Sequence, residues 1–236
     1  SVLVDVTNGE VVASAVKEYT HGVMDKYLPD GTKLGIDWAL QHPMDYIEVL
    51  EETVPEVLRK SEIPKEAVIG ISIDFTSCTI MPLDENGTPL CLRKEFESNP
   101  NSWVKLWKHH AAQDQANRLN DKAEERGEKF LKRYGGKISS EWVLPKTMQI
   151  LEESPEIYKN TYAIMEGTDW VTMMMTGNWV RNSCTAGYKA IWHKKEGYPS
   201  KEFFKSLNEG LENVTDKFKG EILNVGDKAG SLKKDM

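Results

Sequence analysis

The run 68–75 reads VIGISIDF, apolar and β-branched at nearly every position and free of charge until Asp74. A strand buried on both faces has this character, because it has no solvent side on which polar residues recur. Chain must then cover both sides of the sheet that holds it. Hairpin signals come before the run and strand–helix alternation after it, which together predict an α/β architecture with a mixed sheet.

Upstream, 2–6 and 11–16 are apolar and β-branched, and Thr7-Asn8-Gly9-Glu10 between them carries the Asn-Gly signature of a hairpin. The segment 21–42 holds three Gly and a Pro and reads as a long surface loop. Pro43 suits the first turn of a helix, and Ile47, Leu50, Val54 and Val57 then share one helical face to about residue 60, with Pro55 a possible kink. Downstream of the central run, 80–83 and 89–92 flank Asp84-Glu85-Asn86-Gly87, a second hairpin signal. A long helix is predicted over 101–126, with Trp103, Leu106, Trp107 and His110 on one side and Gly127 as its end. Leu144, Met148 and Leu151 mark another helix, closed by Ser154-Pro155. Residues 162–165 form a candidate strand, and 170–176 a helix capped by Thr168 or Asp169 and stopped by Gly177.

Composition narrows the function. The chain of 236 residues carries a net charge of −7 with no Lys/Arg block, so no nucleic-acid partner is expected, since phosphate contacts need clustered positive charge. It has no run of about 18 apolar residues, so no membrane span is expected. Three Cys without a C-x-x-C pair argue against a disulfide framework or a zinc site and suggest a cytoplasmic setting. The phosphate loop G-x-x-x-x-G-K-[ST], the fingerprint G-x-G-x-x-G, the H-E-x-x-H metal motif and the nucleophile elbow G-x-S-x-G are all missing. His109 and His110 are adjacent, hence about 100° apart on a helix, and are expected to bind no common metal.

Three polar stretches remain as candidate ligand sites. Asp74-Phe75-Thr76-Ser77-Cys78-Thr79 follows the central run directly, and ligands in open α/β sheets gather at the carboxyl ends of strands. Its hydroxyls and backbone N–H groups suit a polyol; the alternative is an ordinary Ser/Thr turn. Gly135-Gly136-Lys137-Ile138-Ser139-Ser140-Glu141-Trp142 offers close backbone approach, hydroxyls and a carboxylate, or else a plain connection between helices. In Ser183-Cys184-Thr185-Ala186-Gly187-Tyr188-Lys189-Ala190-Ile191-Trp192 a lone Lys between small residues and aromatics is placed to donate to a hydroxyl or carbonyl, or else is a surface Lys. Among the seven Trp, most belong to a core, and stacking on a sugar face is the functional reading for the rest.

Taken together, GISIDFTSCT (70–79), SWVKLWKHHAAQ (102–113), RYGGKISSEWVLPKTMQIL (133–151), SPEIY (154–158), EGTDWVTMMMTG (166–177) and NSCTAGYKAIWHKKEGYP (182–199) resemble the N-terminal domain of the FGGY carbohydrate kinases. The Pro-Lys helix start, Pro-Glu-Ile-Tyr, and Asp-Trp followed by Thr-Gly are general to that family. DFTSCT, LWKHHAAQ and GYKAIWHK point to its branch that acts on L-ribulose. The resemblance covers nearly the whole chain. It departs from the family at the start, where an Asp-x-Gly-Thr-like strand and loop facing the ATP phosphates is expected, and past Met236, where a second domain is expected.

The resemblance implies a ribonuclease-H-like, actin-type α/β fold, a mixed sheet flanked by helices and lacking its first strand. It implies that 1–236 is one N-terminal sugar-binding domain of a longer kinase, with the catalytic Asp and most of the nucleotide pocket beyond Met236. The implied reaction is transfer of the ATP γ-phosphate to the terminal hydroxyl of L-ribulose in arabinose catabolism, with ATP and Mg2+ bound mainly elsewhere. The alternatives are a kinase for another pentulose or a polyol, and a non-catalytic sugar-binding domain. In this chain the resemblance assigns sugar contacts to Ser77, through backbone and side chain, and to Lys189. Thr76, Trp107 and Glu141 are further candidates for the pocket wall. No catalytic residue and no metal ligand is expected within the chain; a homo-oligomer is possible.

Overall fold

The computed structural model describes residues 1–234. The first hairpin forms as expected, with β1 (Val2–Val4) antiparallel to β2 (Val11–Ser14) and Val2 opposite Ser14. Its turn is tied by Asp5, whose Oδ1 accepts from the Thr7 N–H and hydroxyl, and Gly9 takes φ +80° where a side chain would be strained. The 21–42 loop ends in β3 (Leu40–Gln41). Helix α1 (Pro43–Ser61) starts on His42, whose Nδ1 accepts from the Met44 N–H, and runs through Pro55 to a left-handed Glu62. The hairpin packs on this helix.

The 68–75 run differs from expectation. It has no regular secondary structure, no strand pairs with it among the described residues, and Ile69 and Ile71 are 81% and 51% exposed. A strand is defined by its neighbours, and among the described residues this run has none to bond. The buried strand lies just beyond it, in β4 (Ile80–Leu83). Its predicted hairpin partner is reduced to a bridge between Leu83 and Pro89, after which 90–92 winds into a 3₁₀ turn.

The helix expected over 101–126 is also corrected. Its first half turns at Asn99-Pro100, where the Asn99 side chain caps a 3₁₀ turn and the Ser102 hydroxyl donates to the carbonyls of Phe96 and Asn99. The chain then becomes β5 (Val104–Lys105), pairing with β3 and with Ile80. Only Gln113–Glu125 is helical, as α2. Helix α3 (Val143–Glu153) matches its prediction, and Ser154-Pro155 opens a further helix, α4 (Pro155–Asn160). Strand β6 (Ala163–Glu166) and helix α5 (Gly167–Thr176) follow, with Gly177 at φ +77° ending the helix as expected. The remainder forms β7 (Val180–Asn182), α6 (Ser183–Lys189), α7 (Lys201–Leu207) and β8 (Glu221–Leu223), with β7 parallel to β8.

The central sheet has the order β3-β5-β4-β6, and its neighbouring strands pair antiparallel. Side chains alternate across it with the period of two that a strand imposes. Ile80 and Ile164 face a core built with Leu119 of α2, Met148 and Ile150 of α3, and Phe203 and Phe204 of α7. Met81, Leu83 and Met165 face the opposite core, shared with Tyr46 and Ile47 of α1 and Trp170 of α5. The result is a sheet between two helical layers.

Candidate functional site

The loop 76–79 turns sharply between the unpaired 68–75 run and β4. Cys78 lies at φ +57°, an uncommon conformation for a residue with a side chain. Its N–H donates to Glu166 Oε2 at 2.6 Å, and its carbonyl accepts from Lys146 Nζ at 2.7 Å. The hydroxyls of Thr76 and Thr79 bond each other at 2.9 Å, and the Thr79 carbonyl accepts from the Gly167 N–H at 2.7 Å. Ser77 is half-buried between them at the tip.

Trp107 follows directly on the 104–106 stretch, since Leu106 donates its N–H to Ala39 and ends the ladder. Trp107 is 44% exposed and shares with Thr76 a cleft of about 550 Å³, walled also by Phe75, Gln41 and Lys108. Lys189 at the end of α6 pairs with Glu141 just before α3, Nζ to Oε2 at 3.7 Å. The Lys189 ammonium lies over the rings of Trp142 and Tyr188, 5.1 and 4.8 Å from their centroids. Glu141 also lies 3.7 Å from His110 Nε2. Both Lys189 and Glu141 are close enough to Cys78 to act on its thiol electrostatically. The five sequence candidates thus fall into two groups, Thr76 with Trp107 and Glu141 with Lys189, and Ser77 lies on the loop between Thr76 and Cys78, the residue on which Glu141 and Lys189 act.

Burial dominates the electrostatics here. It pushes the Cys78 thiol up to about 11, which leaves no thiolate for nucleophilic chemistry. It lowers Lys146 to about 8, and it raises Glu166 to about 7, with Asp169 adding to that rise. Lys146, Glu166 and Gln41 were not among the residues singled out from sequence. The Pro-Lys helix start at Pro145-Lys146 and the Glu166 that opens EGTDW were signals for the first two. A polar residue that begins a buried helix or ends a buried strand calls for a partner.

His21, His42 and Asp45 bring three metal-ligating atoms within 4.8 Å of one another. The buried Asp45 carboxylate is already used, accepting from the His21 N–H at 3.1 Å and meeting His21 Nδ1 at 2.6 Å. His42 Nδ1 caps α1. The positive end of α1 also disfavours a cation at this place. His109 and His110 lie ahead of α2 and not, as expected, on a helix: His109 is buried on Gln149 at 2.8 Å, and His110 faces Ser140 at 3.3 Å. The catalytic Asp expected beyond Met236 lies outside the described residues.

Known proteins share this architecture and this sequence. The chain is 61% identical over its whole length to a ribulokinase of Bacillus licheniformis, covering 43% of that protein, and 56% identical to a ribulokinase of Halalkalibacterium halodurans, covering 42%. It therefore spans less than half the length of these curated relatives. Among solved structures, a xylulose kinase from Brucella ovis superposes over 99% of the chain and 42% of its own, with a TM-score of 0.75 at 16% identity. One from Rhodospirillum rubrum gives 0.74 with the same coverage and identity. These likenesses show the actin-type, ribonuclease-H-like fold of the sugar kinases. The family model for the N-terminal domain of FGGY carbohydrate kinases matches residues 1–208, and the chain belongs to the FGGY family of carbohydrate kinases.

Proposed function

We propose that this chain is the sugar-holding domain of an ATP-dependent ribulokinase, which transfers the ATP γ-phosphate to the terminal hydroxyl of L-ribulose. The observation that carries the reading is the 61% identity to a ribulokinase over the whole length of the chain. Phosphoryl transfer depends mainly on positioning and on charge stabilisation, so a domain contributes by holding the acceptor hydroxyl still. In this reading the backbone and hydroxyl of Ser77 and the Thr76 hydroxyl meet sugar oxygens. Lys189 donates to one of them while Glu141 keeps its ammonium oriented, and the exposed face of Trp107 covers the sugar's C–H surface.

The one three-donor cluster among the described residues does not fit the Mg2+ of MgATP. Mg2+ takes oxygen ligands, and the three-donor cluster found among them is imidazole-rich and already bonded. The proposal therefore gives this chain, 1–236 as one domain, the sugar, and gives the nucleotide with its Mg2+ to the further length that the curated relatives have. We place the protein in the cytoplasm, where the free thiols of Cys78, Cys91 and Cys184 stay reduced. No described helix is long and apolar enough to cross a membrane.

The test is a substrate panel on the full-length protein at saturating ATP, comparing L-ribulose with D-ribulose, xylulose and ribitol. The highest kcat/KM is expected for L-ribulose. Turnover confined to another pentulose or a polyol would replace the substrate named here. Calorimetric binding of ribulose with no phosphorylation by the full-length protein would favour the non-catalytic sugar-binding reading.

A further inference from the structure

Lys146 is fully buried in the first turn of α3, yet it has no carboxylate at ion-pair distance among the described residues. Its ammonium is spent on main-chain carbonyls: Cys78 at 2.7 Å, Leu106 at 2.7 Å and, more weakly, Lys105 at 3.5 Å. Leu144 and Met148, on the same helix, fill comparable buried space with apolar side chains. A cation buried without a direct ion pair is costly, and it brings no packing that a Met would not. What the amine adds is a tie between two segments that part company. Strands β4 and β5 share the single pair Ile80–Lys105, and on one side of it the chain leads back into the 76–79 loop, on the other forward to Trp107.

The loop end of this tie needs outside restraint. Cys78 sits at φ +57°, where an L-residue other than glycine is strained, and such a conformation persists only when its surroundings over-determine it. Lys146 grips its carbonyl, and Glu166 at the end of β6 grips its N–H from the opposite side at 2.6 Å. Helix α3 and strand β6 are both buried elements of the scaffold, so neither grip moves with the loop.

We infer that Lys146, with Glu166 opposite it, is a positioning residue that holds the Ser77 loop and the Trp107 segment at a fixed spacing across the sugar cleft. The inference rests on the sugar-kinase reading above. Lys146 touches no substrate; it acts through the backbone of Cys78 and Leu106, so its loss weakens sugar binding and leaves nucleotide binding alone.

The experiment is steady-state kinetics on the full-length protein with L-ribulose and ATP varied in turn. Lys146→Met is expected to raise KM for L-ribulose about tenfold or more while KM for ATP stays within about twofold. Leu211→Ala, a core truncation outside both segments, serves as the stability control and is expected to lower the melting temperature with both KM values kept. If Lys146→Met does not fold, Glu166→Gln reads the same tie from its other side. It keeps an acceptor for the Cys78 N–H without the charge, and a smaller rise, about threefold, is expected in the same KM alone. An unchanged KM for L-ribulose in the folded variant, equal rises in both KM values, or the same rise in Leu211→Ala would each overturn the inference. A wild-type protein that phosphorylates no pentulose or polyol would overturn the sugar-kinase reading itself, and the inference with it, before any variant is compared.

Discussion

Lys189 is the side chain on which the proposed sugar contact turns. Only 16% of it is exposed, and its distance of 3.7 Å to Glu141 is an ion pair rather than a hydrogen bond, so its N–H groups remain to be used by a ligand. A charge-assisted hydrogen bond to a sugar oxygen contributes about 1.5–3 kcal/mol. Lys189→Met keeps the length of the stem and removes the donor. In the full-length protein kcat/KM for L-ribulose is expected to fall roughly ten- to a hundredfold, at about 1.4 kcal/mol per tenfold, with a much smaller change in KM for ATP. A Lys whose role is only to cover Trp142 and Tyr188 predicts no change in either parameter, and an unaltered kcat/KM would remove Lys189 from the site.

At the scale of elements, the junction of β6 and α5 shows how packing shapes the cleft. Gly167 opens α5, and a Cβ there would lie 2.4 Å from Phe75 Cε1 and 2.8 Å from Cζ. The Phe75 ring meets Tyr46 edge-on at 4.9 Å and walls the cleft beside Thr76. Glycine is required here by this close approach, since its backbone is ordinarily helical. Gly167→Ala therefore forces Phe75 outward. Overpacking of this kind costs about 1–3 kcal/mol, and a displaced Phe75 narrows the space next to Trp107. A melting temperature lowered by several degrees together with a raised KM for L-ribulose is expected; wild-type values of both would show that the ring yields without consequence.

Across the whole molecule, a buried charged cluster joins the central sheet to the β7–β8 pair. Arg181 on β7 is 1% exposed, donates from Nη1 to the Ile164 carbonyl on β6, and lies 3.8 Å from Asp169 on α5. Asp169 Oδ1 accepts in turn from the Asn182 N–H. Burial raises Asp169 to about 6 and Glu166 to about 7, against the pull of Arg181 on both. The folded protein thus keeps protons on these acids at pH values where the unfolded chain has released them. Stability from these groups is complete below their ordinary carboxylate values near 4 and is lost as pH rises towards 7, at up to about 1.4 kcal/mol per unit for each group. Replacing Glu166 with Gln removes one of the two titrations. Chemical denaturation of wild type and Glu166→Gln between pH 4.5 and 7.5 is expected to show the wild type losing stability relative to the variant as pH rises. A difference independent of pH would mean that Glu166 does not titrate in this window.

What the sequence determined by itself was local, or was carried by long strings of residues. Asn8-Gly9 dictates a turn because glycine tolerates positive φ, Pro43 and the spacing of Ile47 and Val57 dictate α1, and Gly177 ends α5. The family was legible in DFTSCT, PKTMQIL and GYKAIWHK, which few chains share by chance. Ser77, Thr76, Trp107, Glu141 and Lys189 were named from the same strings, and their contacts with a sugar stand as proposals. Tertiary structure alone decided which apolar run became a strand. VIGISIDF has the right residues and finds no neighbour to bond among the described residues, whereas IMPL at 80–83 is sandwiched between β5 and β6. It also decided that Trp103 and Leu106 leave the helical pattern they resemble, because Leu40 and Ile80 offer the 104–105 stretch a ladder that helical bonding would forgo. Lys146 and Glu166 escaped notice for a related reason. A buried Lys gripping carbonyls distant in sequence looks in the linear chain like any helix-start lysine, and its partners become visible only where the loop and the strand end meet it.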